Sequence, residues 1–85
     1  MTIEQIEKFL SDHTVDQKEP AKIFFKTRGT VEGVFIKTPD FVELKRKNFW
    51  RIVSLKNLED YKKSRDTNLS RIFNGAEFTR LSQKG

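Results

Sequence analysis

Seven consecutive residues, Lys45-Arg46-Lys47-Asn48-Phe49-Trp50-Arg51, hold four cations and two aromatic rings, the densest binding chemistry in the chain. Cations neutralise phosphates and release counterions, and flat rings stack on unpaired bases for about 1–3 kcal/mol each. The run therefore reads as a surface for single-stranded nucleic acid. It reads equally as a charged hairpin tip that discourages edge aggregation while a ring fills the core. In an extended strand Trp50 shares a face with Ile52, and Phe49 shares the other with Arg51 and Val53, so one of the two rings is buried. A second basic group, Lys62-Lys63-Ser64-Arg65, closes a helical stretch, where cations also complement the negative end of the helix dipole. Lys22, Lys26, Arg28 and Lys37 could extend a basic stripe across the preceding strands.

Catalytic chemistry has little to work with. The chain has no cysteine, and its one histidine, His13, ends a helical segment on the apolar side. A histidine there reads as a contact to the core or to the helix dipole rather than as a base. Glu59 and Asp60 are adjacent, so on a helix they point about 100° apart and do not share a proton. Asp40 follows Pro39 and reads as a turn former. Gly29 and Gly33 lie in a strand-rich stretch, whereas a phosphate-cradling loop needs a strand followed by a helix. The expectation is a binding protein and not an enzyme, with no metal, cofactor or small-molecule substrate.

Charge is unevenly distributed. The net charge is +5 over 85 residues. Residues 1–20 carry two lysines against five carboxylates, and residues 21–85 carry fifteen basic groups against seven acids. An acidic leading segment is joined to a strongly basic body, which favours an anionic partner. Met1–Leu10 has acids where a secretory signal has cations, and no apolar run is long enough to span a bilayer. With no cysteine to oxidise, a cytoplasmic location is expected.

The elements that must position these groups follow from periodicity. Thr2 and Gln5 fit a capping box, and Ile3, Ile6, Phe9, Leu10 and His13 recur at helical spacing, which predicts an amphipathic helix from Thr2 to about His13. Thr14–Glu19 reads as a polar linker ending at Pro20. From Ala21 the period becomes two: Ala21–Thr27 and Thr30–Thr38 read as strands, with a bend at Gly33. Phe41–Lys45 and Phe49–Leu55 read as a hairpin about Arg46-Lys47-Asn48, and connections this short make the strands antiparallel. Lys56–Arg65 reads as a short helix. Asn68–Asn74 is either one arm of an Asn-Gly hairpin or a helical turn capped by Gly75, and Glu77–Leu81 closes the sheet. Phe24, Phe25, Phe35, Phe73 and Phe78 read as core, with an excess of rings leaving one or two exposed.

A helix, a linker, a strand pair with a mid-strand glycine, then a turn and an apolar strand resemble the Sm-like family of small barrels. The resemblance covers about Thr2 to Val53 and rests on Gly33-Val34-Phe35-Ile36 through Asp40-Phe41-Val42-Glu43-Leu44. It implies ring-forming proteins that bind single-stranded RNA, with Phe41 as a base-stacking residue. The pattern departs from the family in placing Asp40 and Phe41 next to each other and in lacking a Lys-His pair in Phe49–Val53. An SH3-like barrel fits the same strands. The expected fold is thus mainly β (α+β) and a single domain over 1–85: helix and linker over 1–19, and a strongly bent antiparallel barrel over 20–85. The expected nucleic-acid contacts are Phe41, Lys45, Arg46, Lys47, Trp50, Arg51, Lys62, Lys63 and Arg65. The alternative is a protein-interaction module that docks a partner or a second copy through the acidic helix or an open sheet edge.

Overall fold

Thr2 and Gln5 cap the first helix reciprocally: the Gln5 amide donates to Thr2 Oγ1 at 3.1 Å, and the Thr2 amide donates to Gln5 Oε1 at 2.9 Å. A computed structural model describes residues 1–12 and 20–83 of the chain. Helix α1 spans Ile3–Asp12 and buries Ile6 and Leu10, the spacing that places two side chains on one face. His13 and the Thr14–Glu19 linker lie outside the described residues.

Strands β1 (Ala21–Phe25), β2 (Val31–Phe35), β3 (Phe49–Ser54), β4 (Arg71–Asn74) and β5 (Phe78–Gln83) form one antiparallel sheet in the order β4-β3-β2-β1-β5. Gly33 is required by proximity: a Cβ there would stand 2.5 Å from the Val53 carbonyl oxygen and 2.8 Å from Ile52 Cγ2. The sheet bends enough for Phe25 of β1 to reach Phe73 of β4 across two intervening strands, with ring centroids 5.6 Å apart. It does not close. β4 and β5 share no strand pairing among the described residues, and between them stand aromatic rings, with Phe25 edge-on to Phe78 at 5.2 Å. The architecture is a small α+β domain with a bent antiparallel sheet that stays open between β4 and β5, short of the barrel expected from the strand pattern.

Two cores lie on opposite faces of the sheet. On the concave face Ile6 and Leu10 of α1 pack with Ala21, Ile23, Phe35, Trp50, Ile52 and Phe78. On the convex face helix α3 (Leu55–Ser64) brings Leu58 and Tyr61 against Val34, Ile36 and Val53. The helix predicted over Lys56–Arg65 is therefore present, and Arg65 ends it in the left-handed conformation at φ 57°.

One predicted strand is a helix. Phe41–Arg46 forms α2, which is N-capped at Asp40 and ends in a turn where Asn48 takes φ 63°. An alternating pattern would set Phe41, Glu43 and Lys45 on one face. A helical one groups Phe41 with Leu44 and Lys45 and leaves Val42 52 % exposed. The six residues fit either period, and the helical one is closed by the Leu44 amide donating to the Asp40 carbonyl oxygen at 3.0 Å. The ambiguous stretch resolves as a 3-10 turn at Thr67–Leu69 followed by β4, which pairs with β3 and not with the closing strand. A second 3-10 turn, Gly75–Glu77, joins β4 to β5. Gly75 is there because a Cβ would collide with Asn48 Oδ1 and stand 2.6 Å from Ile6 Cδ1, so it serves neither as a hairpin turn nor as a helix cap.

Candidate nucleic-acid interface

The basic run of residues 45–51 is taken apart by tertiary contacts. Trp50 is 1 % exposed in the concave core and donates its indole N–H to Asn48 Oδ1 at 2.8 Å, so its ring is not on the surface a base could reach. Asn48 also donates to the Met1 carbonyl oxygen at 3.1 Å, and its own carbonyl accepts the Gly75 amide at 2.7 Å, which knots three distant segments. Arg51 is held by Asp40: Nη2 lies 2.8 Å from Oδ2, and Nε lies 3.2 Å from Oδ1. This two-pronged geometry is the strong form of the pair. The Arg51 guanidinium, with the Thr38 hydroxyl as a second donor, draws the Asp40 carboxyl down to about 2 from its ordinary 3.8. Asp40 in turn raises the Arg51 pKa.

Phe41 is half-buried and edge-on to Trp50, with ring centroids 6.0 Å apart. It lines an open cleft between α1 and α2 together with Glu7, Leu10, Lys37 and Lys45. The Lys37 and Lys45 ammoniums stand 5.6 and 5.9 Å from the centre of its ring. Lys45, however, is paired with Glu7 at 3.2 Å, and Arg46 with Glu43 at 3.6 Å. Lys47 is exposed. Lys62, Lys63 and Arg65 are exposed at the far end of α3, with Arg65 stacked over Tyr61 at 5.5 Å. Of the nine residues expected to contact nucleic acid, Trp50 is interior and Arg51 is committed to an internal ion pair. Lys45 and Arg46 are partly neutralised, and the α3 group sits on a separate element.

A different surface keeps its charge. Where β4 meets the start of α3, a cleft of about 220 Å³ is lined by Ser54, Lys56, Asn57, Leu69, Arg71 and Phe73 over a floor of Ile52. No carboxylate lines it. Arg71 and Phe73 share the concave face because β4 pairs Trp50 with Phe73 and Ile52 with Arg71. Lys56 and Arg71 are exposed, and neither has an acidic partner among the described residues. Phe73, half-buried, is covered on one side by Arg28, whose guanidinium carbon is 5.5 Å from its ring centre and 5.1 Å from that of Phe25. α3 begins at this cleft with no side-chain cap from Ser54, so its first-turn amides add to the positive potential.

Phe73, expected in the core, packs against the margin of the concave core and also lines the cleft, whereas sequence patterns do not single out Lys56 and Arg71 as site residues. The missing signal was the pairing of β4 with β3, which a hairpin reading of Asn74-Gly75 conceals. Phe24, by contrast, is expected in the core and is not there. It packs in neither core among the described residues, and it lies on the convex face with Arg80 4.3 Å and Lys22 5.7 Å from its ring centre.

The apolar side of α1 is consumed by the concave core, which leaves Glu4, Glu7 and Asp12 outward. Among the described residues no helix is long and apolar enough to cross a membrane. Comparison of the chain with protein-family models, with curated proteins and with solved structures finds no match.

Proposed function

We propose that this chain is a small single-strand nucleic-acid-binding domain, for RNA or DNA, that grips its ligand at the cleft between β4 and the start of α3. The observation that carries the reading is a half-buried ring, Phe73, beside two unneutralised cations, Lys56 and Arg71, in a concave site free of carboxylates. Phosphates fit the cations, and a base fits against Phe73 next to Arg28. The net charge of +5 supports the reading by favouring encounter with polyanions. The Sm-like resemblance belongs to the same proposal. A leading helix followed by five short antiparallel strands supports it, while the helical Phe41–Arg46 segment, aligned there with a strand, weighs against its motif. A cytoplasmic site of action is part of the reading and rests on the absence of cysteine from the sequence.

The test is a salt titration with fluorescent single-stranded RNA and DNA. Affinity is expected to fall steeply with salt, with Lys56→Ala and Arg71→Ala each flattening the slope by about one. Phe73→Leu should weaken binding by about 1–3 kcal/mol at unchanged circular dichroism. Absence of binding at low salt overturns the reading. A second reading would then take its place, in which an extended peptide or a second copy pairs with the outer edge of β4, where Ile72 is 47 % exposed.

A further inference from the structure

Phe24 and Phe25 are neighbours on β1, yet they serve opposite faces of the sheet, as successive residues of a strand must. Phe25 joins Phe73 and Phe78 on the concave side, and Arg28 covers the rings of Phe25 and Phe73. Phe24 stands on the convex side, on the part of the sheet that α3 leaves uncovered, since α3 packs on β2 and β3. Its cross-strand partner is Arg80, which stacks on its ring at 4.3 Å, and Lys22 approaches at 5.7 Å. After the two rings the chain turns through Lys26, Thr27 and Arg28, all exposed.

We infer that the Phe24–Arg80 face is a second nucleotide-binding platform, engaged by the same strand that fills the Phe73 cleft after it bends round the end of β1. The inference rests on the proposed nucleic-acid function and specifies its ligand. The choice of occupant follows from charge. Arg80 is exposed and has no acidic partner among the described residues, whereas Lys22 stands opposite Glu32, so Arg80 is the phosphate contact and Lys22 the lesser one. An Arg stacked on a ring offers its outer face to a base and its N–H groups to a phosphate. Platforms on opposite faces of one strand demand a ligand that bends within a few nucleotides. A single strand does so, and a duplex, stiff over about 150 base pairs, does not.

The experiment measures the affinity of the whole chain for fluorescent oligouridine and oligothymidine of increasing length, from a few nucleotides to about a dozen, with matched duplexes as controls. Short oligomers fill the cleft alone, and longer ones gain by reaching Phe24. The expected gain from short to long is about tenfold, the worth of one stacked base. Arg80→Ala and Phe24→Leu should abolish that gain and leave short-oligomer affinity unchanged, while the duplexes show no gain. Arg80→Ala removes an exposed cation and its stack on Phe24 and leaves both cores untouched, so its result stands even if Phe24→Leu perturbs the fold. Should both variants keep the full length dependence, or should the duplexes gain as much as the single strands, the second platform is wrong and the cleft stands. Failure of every oligomer to bind the unaltered chain overturns both.

Discussion

The cleft between α1 and α2 and the cleft between β4 and α3 hold similar residues, a ring beside two cations, and differ in that only the first also holds a carboxylate. The first has Phe41 with Lys37 and Lys45, but Glu7 of the acidic helix is 3.2 Å from Lys45 and lines the same opening. The second has Phe73 with Lys56 and Arg71, and no carboxylate lines it. The lesson is that a ring beside cations becomes a polyanion site only when the fold leaves those cations unpaired. The acidic segment, which made the charge asymmetry so visible, is folded back onto part of the basic body it contrasts with.

The comparison can be broken most forcefully at Trp50. If the run of residues 45–51 were the binding surface, Trp50→Ala would reduce nucleic-acid binding in a folded protein. Burial in the concave core predicts instead a loss of about 3–5 kcal/mol of stability, enough to unfold a domain of this size, read as a collapsed urea midpoint.

Acid gives a second, smaller handle on the α2 side. The Asp40 carboxyl is held near 2 against an ordinary 3.8, so its contribution is fully present above about pH 4 and is lost as pH falls toward 2. A thermal-melt series from pH 5 to pH 2 should show the unaltered chain losing more stability than Asp40→Asn, whose Arg51 contact no longer titrates. Equal slopes would remove the Arg51–Asp40 pair from the account of why Arg51 is unavailable.

The smallest effect sharpens the contrast between the clefts. Glu7→Gln releases Lys45 from an exposed ion pair worth about 0.2–1 kcal/mol, so stability should barely change. Low-salt oligonucleotide affinity should rise less than twofold. Lys45→Ala should cost less binding than Arg71→Ala, and a reversed order in a salt titration would return the site to the α1–α2 side.

Much of the fold is legible in local patterns. The capping box and the i, i+3, i+4 apolar positions of α1 are written in neighbouring residues, as is the polar helix of α3, and the alternation of Ala21–Phe25 and Phe49–Val53 marks strands. Phe41–Arg46 was misread because six residues satisfy both periods about equally. β4 is obscured because its four residues end in the Asn of an Asn-Gly pair, which mimics a hairpin turn. The site was less legible than the fold. Nothing within a few residues of Arg71 indicates that Lys56 and Phe73 will stand beside it in one cleft, and nothing beside Phe24 reveals that it misses the core.

The sequence by itself determined the material: a short, cysteine-free chain rich in phenylalanine, with a net charge of +5, an acidic helix at its start and β periodicity after it. Those properties depend on composition and on neighbours, and they persist whatever the chain packs against. Only the tertiary structure decided which cations remain available. Arg51 meets its carboxylate 11 residues away, Lys45 meets Glu7 across 38, and Met1 is tied to Asn48 across 47. Charge neutralisation and burial act through space over a few ångströms, and sequence distance carries almost no information about them once a sheet has bent back on itself.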